Sequence, residues 1–310
     1  MNLIDTFRYL VALEQHKHFS RAAQACHITQ PALSNSIRAL EDELGVKIVN
    51  RGRIYQGLTE EGRRVLTSAY QVLYETDSLK KDINSRKGKP TGKLILGCIP
   101  SALPVASKFA TKIKESFPEI LTIVRSMASQ EIELSLENHT IDLAFGYVDR
   151  FELSANDTTI IPQYLESYFL IGSKLHLANV SELSEEISWL KASKLQLCLL
   201  TSEMHNRVLL NSFFKNVEVE IKPAMETNSI FSLLLSVSNS KFSTILPGPI
   251  ANVAKSFNEL FISKLVAPVC NTSIGLLISS SKSLTIPQQK ALEISEEDAW
   301  KTLLESVTVP

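Results

Sequence analysis

The chain of 310 residues is 44% hydrophobic and 21% charged, which excludes a disordered or fibrous protein and, at this length, predicts two or more domains. No apolar run nears the ~20 residues that span a bilayer, and Met1-Asn2-Leu3-Ile4-Asp5 lacks a basic flank followed by an apolar stretch, so a cytoplasmic protein without a membrane partner is expected. The net charge of −1 hides an asymmetry: residues 1–90 carry 14 basic and 10 acidic side chains, the remainder 18 and 23, as if one part meets a polyanion and the other does not.

In chain order, Phe7, Leu10, Val11 and Leu13 form the apolar face of a first helix that ends near His16-Lys17-His18. Ser20 is placed to cap a short helix, Arg21 to Cys26, whose Ala22 and Ala23 permit close packing. Thr29 caps the next helix, Pro31 fits its first turn, and Leu33, Ile37, Leu40 and Leu44 make one stripe that Gly45 closes. The stretch 46–53 reads as a short β-hairpin turning near Gly52. From Thr59 a long helix follows, with Val65, Ala69, Val72, Thr76, Leu79 and Ile83 as a heptad-like seam that suits pairing with a second copy. It fades into a basic, Gly/Pro-containing hinge around residues 85–92.

Beyond the hinge, strands and helices alternate. Lys93–Cys98 is a strand, Leu103–Ser116 a helix, Ile120–Val124 a strand, Gln130–Glu137 a helix and Ile141–Gly146 a strand. A similar series recurs as strand 195–200, helix 203–214, strand 217–221, helix 230–237 and strand 242–246. Such alternation predicts largely parallel sheets in two lobes, with a ligand cleft between them.

The third helix has the chemistry of a major-groove reader. Away from its apolar stripe it offers Gln30, Pro31, Ser34, Asn35 and Arg38, with Ser20 nearby; Gln and Asn bond adenine in pairs, and Arg takes guanine or phosphate. Arg51 and Arg53 on the hairpin suit the phosphate backbone. The run Phe19-Ser20-x-Ala22-Ala23, Ile28-Thr29-Gln30-Pro31-Ala32-Leu33-Ser34, Ile37, Leu40-Glu41, Leu44-Gly45, then Arg51 and Leu58-Thr59-x-x-Gly62, resembles the LysR-type transcriptional regulators. Two departures stand out: Asn35 occupies a position that is often basic in that family, and Ile48-Val49 replaces the commoner Leu-Phe pair.

The resemblance covers nearly the whole chain. It implies a winged helix-turn-helix domain over residues 1–58, a linker and dimerisation helix with hinge over 59–90, and an effector domain over 91–310. That last domain would have two Rossmann-like lobes of the type 2 periplasmic-binding-protein kind, about 91–163 with 267–310, and 164–266. The partners implied are double-stranded promoter DNA, a small-molecule effector, and further copies in a homodimer or homotetramer.

Matching the family's cleft to loops at helix starts selects Pro100, Ser101, Ser129, Gln130, Thr201, Ser202, Thr227 and Asn228 as effector contacts. Four helix starts meeting at one site favour a small anion. The stretches 129–133 and 226–230 resemble regulators associated with cyanate or formate metabolism, which points to a carboxylate-like effector. His205 and Arg207 could add positive charge, and Met127, Met204 and Met225 flank the same loops. The alternatives are a redox-responsive regulator of the same family and a solute-binding protein without DNA binding. Cys26, Cys98, Cys198 and Cys270 are far apart in sequence, with no metal-ligand spacing and no second cysteine soon after Cys198, which argues against a disulfide switch. No nucleophile elbow, P-loop, zincin or dinucleotide motif is present, so neither an enzyme nor a cofactor or metal site is expected.

Overall fold

The computed structural model describes residues 2–50, 52, 55–85, 90–152, 158–177, 185–280 and 284–310. They divide into two compact units, residues 1–89 with 137–140, and residues 90–136 with 141–310.

The first unit is built from four helices: α1 (Leu3–His16), α2 (Phe19–Ala25), α3 (Gln30–Leu44) and α4 (Glu60–Ser85). α1 stops where Lys17 turns left-handed at φ 51° and returns its N–H to Leu13. α2 begins two residues earlier than the Ser20 cap predicts: His18 is its N-cap, and the His18 ring accepts the Ser20 N–H, leaving Ser20 exposed in the first turn. α3 starts on the Thr29 cap with Pro31 in its first turn and ends on Gly45 at φ 68°, a conformation that favours glycine. Leu33, Ile37 and Leu40 are at most 1% exposed, each contributing about 1.5–3 kcal/mol on burial.

Between α3 and α4 the expected hairpin reduces to one antiparallel bridge, Val49 to Leu58. Two polar devices hold this segment. Glu41, 2% exposed on α3, accepts the backbone N–H groups of Ile48 (2.9 Å) and Val49 (3.2 Å) through Oε1. Gly62 passes so close to the segment that an added Cβ would lie 2.0 Å from the Ile48 carbonyl oxygen. The α4 seam divides. Val65 and Ala69 pack into the core of this unit, whereas Val72 is 38% and Leu79 61% exposed.

The second unit contains β1 (Gly92–Cys98), a 3₁₀ turn (Pro100–Ala102), α5 (Leu103–Ser116), β2 (Ile120–Ser126), α6 (Ser129–Glu137), β3 (Leu143–Tyr147), α7 (Val148–Glu152) and β4 (Thr158–Ser173). There follow α8 (Lys174–Leu177), β5 (Glu186–Ser188), α9 (Trp189–Ala192), β6 (Cys198–Leu200), α10 (His205–Lys215), β7 (Met225–Thr227), α11 (Ile230–Val237) and β8 (Ser243–Pro247). The chain closes with α12 (Gly248–Ala254), β9 (Leu260–Val266), β10 (Asn271–Ser279), α13 (Ile286–Glu296) and α14 (Asp298–Thr308).

The main sheet runs β2-β1-β3-β10-β4-β9-β5, with β8 also paired to β4, and β6-β7 form a second small sheet. It is mixed rather than largely parallel. β1 is parallel to β2 and β3, and β5 to β9, but β10 is antiparallel to both β3 and β4, and β4 to β8 and β9. The sixteen-residue β4 explains the mixture. Its residues 158–167 pair with β10 in one half of the sheet, and its residues 168–173 pair with β8 and β9 in the other. One core gathers around Phe109, Phe145 and Trp300, and two more lie in the other half, around Leu233 and Leu246 and around Trp189 and Phe214. The strand expected over Val217–Ile221 does not form; Val217 and Ile221 pack as loop residues on the Trp189 core, and Met225–Thr227 pairs with β6 instead.

Candidate nucleic-acid interface and ligand cavity

Because α3 buries Leu33, Ile37 and Leu40, the intervening positions of the same helix turn outward. Gln30, Pro31, Asn35 and Arg38 are exposed, and Ser34 is half-buried beside them. Ser20 is exposed in the first turn of α2. One helix N-terminus thus carries two carboxamides, a hydroxyl and a guanidinium, the set of donors and acceptors that reads base edges. Arg51 and Arg53, expected to clamp phosphates, lie outside the described residues, as do residues 86–89 of the hinge.

In the second unit a cavity of about 240 Å³ opens where the two halves of the sheet meet. Its walls come from helix starts: Pro100 and Ser101 on the 3₁₀ turn, Ser129 and Gln130 at α6, Met204 to Asn206 at α10, and Ile230 at α11. Tyr147 and Arg150 complete it from β3 and α7. Four of the expected contacts, Pro100, Ser101, Ser129 and Gln130, therefore line the cavity.

Thr201, Ser202, Thr227 and Asn228 do not line it. α10 begins at His205 and α11 at Ile230, capped by Ser229, so Glu203 to Asn206 and Ile230, later in sequence, line the cavity together with Leu200 of β6. Thr201 donates instead to Glu203 (2.7 Å), and the Thr227 hydroxyl accepts the Ser229 N–H (3.3 Å). Arg207 turns away, donating to the Leu200 carbonyl (2.8 Å), Glu226 (2.6 Å) and Asn211 (3.0 Å). Met204 lines the cavity, whereas Met127 is buried in the core around Phe109 and Met225 lies on β7.

Sequence reasoning missed Tyr147, Arg150 and Asn206. Tyr147 ends β3, Arg150 lies on α7 and Asn206 in the first turn of α10, none of them in a loop that precedes a helix.

The electrostatics of the walls are close to neutral. Arg150 is ion-paired with Glu133. The Thr201 hydroxyl holds the Glu203 carboxylate below its usual range. His205 stands against the Tyr147 ring, with centroids 4.7 Å apart, and burial lowers its pKa against the opposing pull of Asp149, 4.0 Å away. Near Ser101, on β4, Glu166 is wholly buried; burial pushes its carboxyl to about 8, and the nearby Ser101 and Tyr164 hydroxyls only partly offset that.

None of the four cysteines lines the cavity. Cys98 and Cys198 are buried, Cys26 and Cys270 half-buried, all four are free thiols, and burial raises the pKa of each. Among the described residues no cluster of three or more His, Cys, Asp or Glu is placed to hold a metal, and no helix is long and apolar enough to cross a membrane.

Residues 4–63 match the signature described as bacterial regulatory helix-turn-helix protein, lysR family, and residues 87–298 match the LysR substrate binding domain. The hydrogen peroxide-inducible genes activator of Haemophilus influenzae is 34% identical over 145 residues, 46% of this chain and 48% of that protein. The chain thus spans about half the length of such curated relatives. The probable HTH-type transcriptional regulator LrrA of Synechococcus elongatus is 26% identical over 79% of this chain and 80% of its own.

Among solved structures, a full-length OxyR variant from Pseudomonas aeruginosa superposes with a TM-score of 0.69 at 19% identity, covering 99% of this chain and 98% of that one. Full-length CbnR complexed with its target DNA gives 0.65 at 17% identity, covering 94% and 99%. These likenesses extend the shared fold to nearly the full length. None of these relatives is a cyanate or formate regulator, and the expected association with that metabolism finds no support in them. With both halves of the chain matched in order and a helix-turn-helix preceding an α/β ligand-binding unit, this chain belongs to the LysR family of bacterial helix-turn-helix regulatory proteins.

Proposed function

We propose that this chain regulates transcription by binding promoter DNA through α3 and by answering to a small effector held in the cavity of the second unit. The observation that carries the reading is the outward row Gln30, Asn35 and Arg38, set by the buried Leu33, Ile37 and Leu40 stripe on the same helix. Ser34 adds a hydroxyl between them, and Arg51 and Arg53 are assigned to phosphates from sequence. Pairing of two copies through the exposed Val72 and Leu79 and the half-buried Thr76 of the α4 seam would present two readers to half-sites related by two-fold symmetry, and further pairing of effector domains would give a tetramer.

An effector bound to Ser101, Ser129 and Gln130 on one side and the start of α10 on the other acts by preferring one arrangement of the halves that β4 joins. The converging helix starts would attract an anion. Against that, the one cation lining the cavity among the described residues, Arg150, is already held by Glu133.

A transcriptional reporter fused to the DNA upstream of this coding region tests the reading. Ser129→Ala is expected to leave ligand-free operator binding intact and to blunt the response to growth conditions. A variant that responds like the wild type removes the cavity from the account.

A second reading, a regulator responding to peroxide, is favoured by relatives that are named peroxide-inducible activators. The thiols weigh against it: none lines the cavity, and all are shifted away from the reactive thiolate.

A further inference from the structure

The cavity walls carry buried hydrogen-bonding groups that complete no hydrogen bond of normal geometry within the protein. Asn206, 5% exposed in the first turn of α10, lines the cavity beside the Tyr147 hydroxyl, and neither its Oδ1 nor its Nδ2 completes a hydrogen bond of normal geometry. Ser101, 3% exposed on the 3₁₀ turn, stands near Glu166 and Tyr147 without completing a hydrogen bond of normal geometry at Oγ, and His205 Nε2 lies 4.0 Å from Asp149, beyond hydrogen-bond reach. Buried polar groups are matched in the great majority of cases, so unmatched ones on a ligand cavity indicate what the ligand must bring.

The kinds of group decide its chemistry. A side-chain amide presents donors and an acceptor side by side, so Asn206 asks for an acceptor and a donor together, whichever way the amide is turned. A carboxylate accepts only. It would satisfy Nδ2 and leave Oδ1 buried without a donor.

Charge leads the same way. The Arg150 guanidinium is engaged by Glu133, and burial keeps both His205 and Glu166 toward their neutral forms. No cation free of a partner lines the cavity among the described residues to hold an anion, and the ionised Glu203 on the same wall would repel one. The volume of about 240 Å³ suits a short-chain or single-ring molecule.

We propose that the effector is a small uncharged molecule bearing a primary carboxamide or urea group, which pairs through two hydrogen bonds with the Asn206 side chain and takes a third from Ser101. This assignment rests on the cavity being the effector site.

The test is calorimetry on the full chain with propionamide, benzamide and methylurea, running propionate and benzoate beside their amides. At least one uncharged compound is expected to bind, and where an amide binds, its carboxylate binds roughly tenfold or more weaker, the cost of a stranded buried acceptor. Asn206→Leu is expected to abolish the heat. Because Asn206 is buried, Ser101→Ala serves as a milder variant and is expected to weaken binding roughly three- to tenfold.

Carboxylates binding more tightly than their amides would overturn the ligand class and leave the effector site standing. Amide binding unchanged in both variants would overturn the placement on Asn206 and Ser101. No heat from any of the five compounds would also overturn the proposal, whereas the effector-site reading has its own readout in the Ser129→Ala reporter.

Discussion

Replacing Glu41 by alanine is expected to uncouple α3 from the segment that follows it, although Glu41 itself is buried. Its carboxylate is 2% exposed and accepts two N–H groups, from Ile48 and Val49, which are themselves 0% and 3% exposed. Removing the acceptor strands two buried donors, each costing about 1–3 kcal/mol, and the methyl group of alanine fills none of the space. The expected loss is therefore about 2–6 kcal/mol, equivalent to at least a roughly thirtyfold rise in local opening. Lys47 adds little to this sum, because its Nζ sits 3.9 Å from Glu41 on a side chain that is 70% exposed. Hydrogen–deuterium exchange of peptides spanning 41–62 reads the opening directly, and fluorescence anisotropy reads the consequence for operator affinity. Glu41→Gln, which keeps an acceptor, is expected to lose less than half as much. If both variants exchange like the wild type, the carboxylate does not hold this segment and the reasoning is wrong.

Two further outcomes follow from the titrating groups. Glu166 holds its proton when folded to about pH 8 but ionises near 4.5 when unfolded, so its contribution is complete below 4.5 and falls by about 1.4 kcal/mol per pH unit until about 8. Urea unfolding across pH 5–9 is expected to show Glu166→Gln gaining on the wild type as pH rises, and parallel curves would contradict the buried neutral acid. For the thiols, the account expects operator affinity to be unchanged by hydrogen peroxide and mass spectrometry to find modification first at the half-buried Cys26 and Cys270; a disulfide involving Cys198 would instead favour the peroxide reading.

What could be read in the sequence was whatever obeys a local rule. α3, α5 and α11 carry their apolar positions at three- and four-residue steps between recognisable ends, and their limits were legible. β4 was not, because it changes sheets midway. Its first half is partly exposed in an irregular order and its second half is buried on both faces, so no single period runs through it. Val217, Val219 and Ile221 alternate like a strand but lack a partner strand, and tertiary packing on Trp189 decides their state. The cavity was half legible for a related reason. Helix starts were located to within two or three residues, close enough for Ser101 and Ser129 but not for α10, where Asn206 rather than Thr201 or Ser202 lines the cavity. Tyr147 and Arg150 follow from β3, whose strand was legible, but its pairing beside β1, which brings its end to the same wall as Ser101, is a long-range fact.

The central claim, that α3 reads bases rather than merely meeting DNA charge, is tested most directly by anisotropy with the chain's own upstream DNA and with unrelated DNA of equal length. The Gln30→Ala, Ser34→Ala double variant is expected to lose roughly 30-fold or more on the upstream DNA, two base contacts at about 1–3 kcal/mol each, while its weak binding to unrelated DNA stays within about twofold. Equal losses on both DNAs would contradict base reading by this helix.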